Sequence, residues 1–238
     1  MLLELEGLDA SIEGITVLRE IDLAVDETEV VGIIGRNGAG KTSTFKSVMG
    51  LQHVQRGSVS FRGEDITVYP THERKRLGIG FAPEDRRLIS KLTARENIEM
   101  ALWGSDDDGI DIDDRLEVVL DIFPAMERFL DQPAGKLSGG QQQMVTVSRA
   151  LVAEPELVLL DEPFEGLAPS IKQDLTESIS VIRDELGIAV FVAESQINQV
   201  KDFVDRLYVI ERGEIIAETD VAGEITDDEE LMQIIGGG

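Results

Sequence analysis

The eight residues Gly35-Arg36-Asn37-Gly38-Ala39-Gly40-Lys41-Thr42 combine three glycines, a lysine and a hydroxyl at fixed spacing. An apolar run, Val30-Val31-Gly32-Ile33-Ile34, precedes them, and Ser43-Thr44-Phe45-Lys46-Ser47-Val48-Met49 follows with helical character. Strand, glycine-rich turn, lysine, hydroxyl and helix is an order that wraps backbone N–H groups around a polyphosphate. Glycines let the backbone approach a ligand and take positive φ without a Cβ clash. Lys41 then reaches the β- and γ-phosphates, and the Thr42 hydroxyl, with Ser43 beside it, lies where Mg²⁺ accompanies them.

Two more segments carry chemistry. Leu157-Val158-Leu159-Leu160 is an apolar strand that ends in two carboxylates, Asp161 and Glu162. Beside a phosphate loop, Asp161 can hold the metal through water, and Glu162 can accept a proton from an attacking water. Leu137-Ser138-Gly139-Gly140-Gln141 stands directly before a helix. Its hydroxyl, free N–H groups and positive dipole end suit an anion, although Ser138 also suits a plain helix N-cap.

These groups need a scaffold. Residues 1–34 read as short strands with turns at Glu13-Gly14 and Asp26-Glu27, and Gly57–Gly63 alternates like an antiparallel edge strand. Helical periodicity runs through 91–130, as in Leu116, Val119, Leu120 and Phe123, interrupted by an acidic loop at 105–114. That loop fails the EF-hand pattern, because Gly104 takes the first position when Gly109 is placed sixth. A helix at 141–153, the strand 157–160, a helix near 170–186 and a strand at 188–193 follow, then a hairpin at 207–216 and a short acidic helix at 226–235. Strands alternating with helices predict an α/β fold with a mainly parallel sheet covered on both faces.

Composition narrows the partners. The 238 residues carry 47 acidic and 22 basic side chains, a formal charge of -25 that repels nucleic acid and anionic lipid. Only seven of the 22 basic residues are lysine, and the acid excess predicts a very salty cytoplasm, where screening over roughly 3 Å removes most self-repulsion. Cysteine is absent, which excludes disulfides and thiolate metal sites. The acidic start, Met1-Leu2-Leu3-Glu4-Leu5-Glu6, is unlike a signal peptide, and the apolar stretch Ile188–Ala193 is too short to span a bilayer. A cytoplasmic chain that reaches a membrane through partners is expected. His53 and His72 fall outside the motifs and are expected at the surface.

The string LSGGQ at 137–141, lying between the phosphate loop and the paired carboxylates, resembles the signature of ATP-binding cassette proteins. The resemblance covers essentially the whole chain. It implies a P-loop NTPase fold: a RecA-like core at 1–84 and 155–238 with an N-terminal antiparallel β subdomain, and a helical subdomain inserted at 85–154. It also implies that two cassettes pair head to tail around ATP and Mg²⁺, with Ser138 and Gly140 of one meeting the γ-phosphate held by the other. Phe164-Glu165-Gly166-Leu167-Ala168 matches the loop that crosses this interface. Three positions depart from the family pattern. Glu84 stands where a metal-sensing glutamine is usual, and Ser195 stands where a histidine senses the γ-phosphate, which weakens that sensing or shifts it to Gln196. Ile12 stands where an aromatic stacks on adenine. The strings Ala82–Leu88, Leu92–Ile98 and Glu165–Pro169, with Glu194, are similar to importer cassettes for branched-chain amino acids, with urea and amide importers close by. That branch implies a second cassette, permease subunits and an external solute-binding protein. A weakly hydrolysing cassette with an active companion, or a non-transport cassette ATPase, stays open as an alternative.

Overall fold

The computed structural model describes residues 1–103, 111–220 and 229–235. In chain order its strands are β1 (Leu3–Ile12), β2 (Ile15–Val25), β3 (Val30–Ile34), β4 (Val54–Phe61), β5 (Glu64–Asp65), β6 (Ile79–Ala82), β7 (Leu157–Asp161), β8 (Ala189–Glu194), β9 (Arg206–Glu211) and β10 (Glu214–Thr219). Its helices are α1 (Lys41–Val48), α2 (Thr71–Arg76), α3 (Ala94–Glu99), α4 (Ile112–Ile122), α5 (Gly139–Leu151), α6 (Pro169–Asp184) and α7 (Glu229–Ile235).

The first sheet is antiparallel with strand order β2-β1-β4-β5. Glu13 and Gly14 both take positive φ, which is the backbone of a two-residue hairpin turn, and they join β1 to β2. β4 is not an edge strand, contrary to the sequence expectation; it lies between β1 and the two-residue β5. Alternation reports that one face is buried and says nothing of how many neighbours pair with the backbone.

The second sheet runs β10-β9-β3-β8-β7-β6, parallel except for the β9–β10 hairpin. Every residue of β3, β7 and β8 is buried, and the period of two sorts their side chains onto opposite faces. Val31, Ile33, Leu157, Leu159 and Phe191 join the core shared with the antiparallel sheet. Val30, Ile34, Val158, Leu160, Val190 and Val192 join the core shared with Leu116, Val119, Met126 and Met144 of the helical region 85–154. Burying each such large side chain is worth about 1.5–3 kcal/mol, so the strand ends that carry the chemistry are fixed from both sides.

Helix boundaries follow local caps. α5 starts two residues before the expected 141, because Ser138 and Gln141 form a reciprocal capping box. α4 starts at Ile112, with the Asp111 carboxylate accepting the Asp113 N–H at 2.9 Å, so the end of the expected acidic loop is helical. Phe123 leaves the helix at φ -126° and ψ 68°. The part of that loop at 105–110, and residues 226–228 of the expected tail helix, lie outside the described residues. His53 and His72 are exposed. Among the described residues no helix is long and apolar enough to cross a membrane.

Candidate active site

The loop 35–40 leaves the buried end of β3 and enters α1, and two of its glycines, Gly35 and Gly40, are required by contact. A Cβ on Gly35 would collide with the Ile210 carbonyl oxygen, and Gly40 sits at φ 125° with Ile210 and Leu18 closing on it. Gly40 offers no side-chain cap, so the first-turn N–H groups of α1 stay available to an anion. Phe45 anchors the helix edge-to-face against Phe191 on β8, with ring centroids 4.9 Å apart, and against Phe81 at 6.4 Å.

Lys41 is buried and folds back over the loop. Its Nζ donates to the Gly35 carbonyl at 2.7 Å, the Arg36 carbonyl at 3.4 Å and the Ser195 Oγ at 3.0 Å. The same nitrogen pairs with Glu162 Oε1 at 3.0 Å. The Ser195 Oγ lies 2.8 Å from Glu162 Oε1 and 2.7 Å from Asn37 Oδ1; with one proton, it donates to one of them at a time. Glu162 takes φ +47°, a left-handed conformation uncommon for a side chain of its kind, and its N–H donates to the Ala193 carbonyl at 2.9 Å. The ends of β3, β7 and β8 therefore meet at one ammonium.

A second pair lies beside the first. The Thr42 hydroxyl donates to Asp161 Oδ1 at 3.1 Å, while Asp161 Oδ2 is buried with no hydrogen-bond partner. Burial, opposed by the Thr42 bond and reinforced by Glu84 and Glu162, pushes the Asp161 carboxyl up to about 6. Burial and the carboxylates of Glu162 and Glu165 also raise Glu84. A hydroxyl and an orphaned carboxylate oxygen form an oxygen-only donor set that fits Mg²⁺, whose shell is completed by phosphate and water. Among the described residues no three His, Cys, Asp or Glu side chains are grouped to hold a metal by themselves.

A cavity of about 400 Å³ opens over these groups, lined by Asn37, Gly38, Gly40, Lys41, Thr42 and Ser43 with Glu84, Glu162, Ile12 and Val17. Ile12 is exposed at its rim. Asp161 and Ser195 lie behind the wall and reach it through Thr42 and Lys41. Arg36 and Ala39 do not line it: the Arg36 guanidinium donates to the Gln233 carbonyl of α7 at 2.7 Å, and Ala39 is buried. Ser138, Gly139, Gly140 and Gln141 do not line the cavity. Ser138 and Gly139 are exposed at the tip of α5, and Gly140 packs against Ile171 of α6. One residue beside the site entered the sequence reading only through the family resemblance, with no role in the site. Glu194 is 2% exposed at the end of β8, and burial lifts its carboxyl to about 7. A charged residue ending an otherwise apolar strand is the signal that marks it, as it marks Asp161.

The ABC transporter family matches residues 18–165. The chain is 37% identical to the high-affinity branched-chain amino acid transport ATP-binding protein BraG of Pseudomonas aeruginosa, over 94% of each protein. It is 32% identical to the lipopolysaccharide export system ATP-binding protein LptB of Haemophilus influenzae, over 98% of this chain and 96% of that one. Among solved structures it resembles an ATP-binding cassette of an ABC transporter in its ADP conformation. The TM-score is 0.86 and the identity 25%, across 100% of this chain and 99% of the other. It also resembles a dimeric post-hydrolysis cassette bound to ADP and Pi, with a TM-score of 0.81 and 26% identity over 91% and 97% of the two chains.

Proposed function

The chain belongs to the ABC transporter family as a cassette that binds and hydrolyses ATP, and on that premise we propose that it powers uptake of branched-chain amino acids or related small solutes. The observation that carries the mechanism is the meeting of Lys41 and Glu162 in the cavity wall with Ser195 directly behind it, their polar atoms within 3.0 Å of one another.

In this arrangement the loop amides and Lys41 receive the β- and γ-phosphates. Lys41 is already aimed by two backbone carbonyls, so its direction needs no reorganisation when phosphate arrives. Phosphate oxygens then replace Glu162 as its anionic partner, which frees the Glu162 carboxylate to take the proton of the attacking water. Ser195 offers a hydroxyl to the γ-phosphate in place of an imidazole. Thr42 and Asp161 hold Mg²⁺, with Glu84 next to them; when bound, the ion offsets the charge that develops on the transferred phosphoryl group. Ile12 meets the base by apolar contact.

Because Ser138, Gly139, Gly140 and Gln141 stand outside their own chain's cavity, they are assigned to the nucleotide of a second cassette, identical or different. ATP then closes two cassettes, and hydrolysis releases them. The segment 85–154 acts as the inserted helical subdomain of the core at 1–84 and 155–238, and passes closure to permease subunits on the cytoplasmic face. An external solute-binding protein delivers the solute, and no nucleic acid takes part. The charge of -25 supports work in a salty cytoplasm.

Similarity to LptB favours a second reading, in which the partner is a lipid exporter. Purification with its permeases and reconstitution into vesicles separates the two. ATP-dependent accumulation of leucine, isoleucine or valine analogues supports uptake. ATPase activity stimulated only by lipopolysaccharide supports export.

A further inference from the structure

Glu194 contacts every segment that brings a reacting group to the cavity. Its backbone carbonyl accepts the N–H of Gly35, the first residue of the phosphate loop, at 3.3 Å. Its Oε1 accepts the N–H of Phe164, two residues beyond Glu162, at 3.0 Å. Its Oε2 accepts the N–H of Ser195 at 3.3 Å. With the Gln199 amide turned to satisfy its neighbours, the amide nitrogen donates to the same Oε2 at 3.1 Å and the amide oxygen accepts from Lys172 of α6 at 3.2 Å.

We propose that Glu194 is a positioning residue for hydrolysis: its carboxylate locks the Glu162 loop to the Ser195 segment, so that base and hydroxyl stay aligned over Lys41. Backbone pairing supplies only part of this tie, through the Glu162 N–H on the Ala193 carbonyl at 2.9 Å. The register of β3, β7 and β8 ends at Ile34, Asp161 and Glu194, and the reacting side chains lie at or beyond those ends. Without the side chain, the Phe164 and Ser195 amides would be buried or half-buried with no acceptor.

The carboxylate is also held at a cost to the fold. Burial and the nearby Glu162 raise its pKa, the two amides and Lys41 oppose them only in part, and the carboxyl comes to about 7. Lys172 reaches it through the Gln199 amide. A buried acid that strains the fold, and whose two backbone donors are both on site segments, is accounted for by positioning rather than by stability.

The proposal rests on hydrolysis at Glu162, so Glu162→Gln is measured alongside and reports on the base separately. Glu194→Gln keeps an acceptor for Phe164, removes the charge, and turns an amide nitrogen toward the Ser195 and Gln199 donors. In the full cassette, with its companion where turnover requires one, kcat is expected to fall about threefold or more with the KM for ATP within about twofold. Tm at pH 8 is expected to hold or rise. Glu194→Ala, which removes both acceptors, is expected to lower kcat further, with Gln restoring part of the loss. Unchanged kcat in Glu194→Gln overturns the proposal, as does a fall of kcat and Tm together, since a merely structural role moves both in one direction. If the alanine variant does not fold, the glutamine variant decides alone.

Discussion

Replacing Asp161 by asparagine tests the electrostatics of the site with one atom. Asp161 is 1% exposed, and its carboxyl lies at about 6 instead of 3.8. Holding it ionised therefore costs the nucleotide-free fold about 3 kcal/mol at pH 8. Asparagine keeps an Oδ1 acceptor for Thr42, so the 3.1 Å bond survives, but its amide hydrogens inherit the partnerless Oδ2 position. An unsatisfied buried amide costs about 1–3 kcal/mol, which leaves a net gain of about 0–2 kcal/mol. In a domain of this size that holds Tm or raises it by up to about 8 °C.

The sign with pH follows from the raised pKa. Between about 4 and 6 the folded state binds more protons than the unfolded one, so the wild type loses stability as pH rises through that window. The advantage of Asp161→Asn is thus absent below pH 4, grows up to about pH 6 and is constant above it. Mg·ATP reverses the order. At one hundred times Kd, ligand stabilises the wild type by about 2.7 kcal/mol, while the variant, lacking the metal-facing charge, gains little. Thermal melts at pH 4, 6 and 8, with and without Mg·ATP, measure all of this. A variant less stable than wild type at pH 8 in the free state, or one stabilised equally by Mg·ATP, would refute the reasoning.

Glu162→Gln removes the proposed base and should lower turnover by about 10²- to 10⁴-fold while ATP still binds and the cassettes stay closed; full turnover would show that another group takes the proton. Ile12→Trp places an aromatic face at the cavity rim and should tighten ATP by about two- to tenfold, read by isothermal titration. An unchanged Kd would place the base elsewhere. Raising KCl from low to molar concentration should lift Tm, because 47 acids face 22 bases; an unaltered melting temperature would remove the high-salt reading.

What the sequence made legible was local or strictly periodic. The phosphate loop is readable because its glycines and lysine stand at fixed spacing within a few residues of a strand end. The buried strands at 157–160 and 188–193 are readable because burial on both faces demands uninterrupted apolar residues. β4 was misplaced as an edge because its second neighbour, β5, is two residues long and leaves no pattern of its own. The direction of Arg36 toward α7 was hidden by nearly two hundred residues of separation. Glu194 was hidden for a related reason: its importance lies in bonds to Phe164 and Gln199 that no spacing rule encodes. The tip of α5 is the opposite case, an evident motif that does not line its own chain's cavity.

ATP is expected to lie on the loop 35–43 with its terminal phosphate between Lys41, Ser195 and Glu162. A crystal structure of the wild-type cassette with a non-cleavable ATP analogue and Mg²⁺ tests it most directly. The γ-phosphate is expected within hydrogen-bond reach of Lys41 Nζ and the Ser195 hydroxyl, with Glu162 drawn off Lys41 toward a water. Nucleotide bound at another place, or a Lys41–Glu162 pair still closed at 3.0 Å beneath it, would contradict the account.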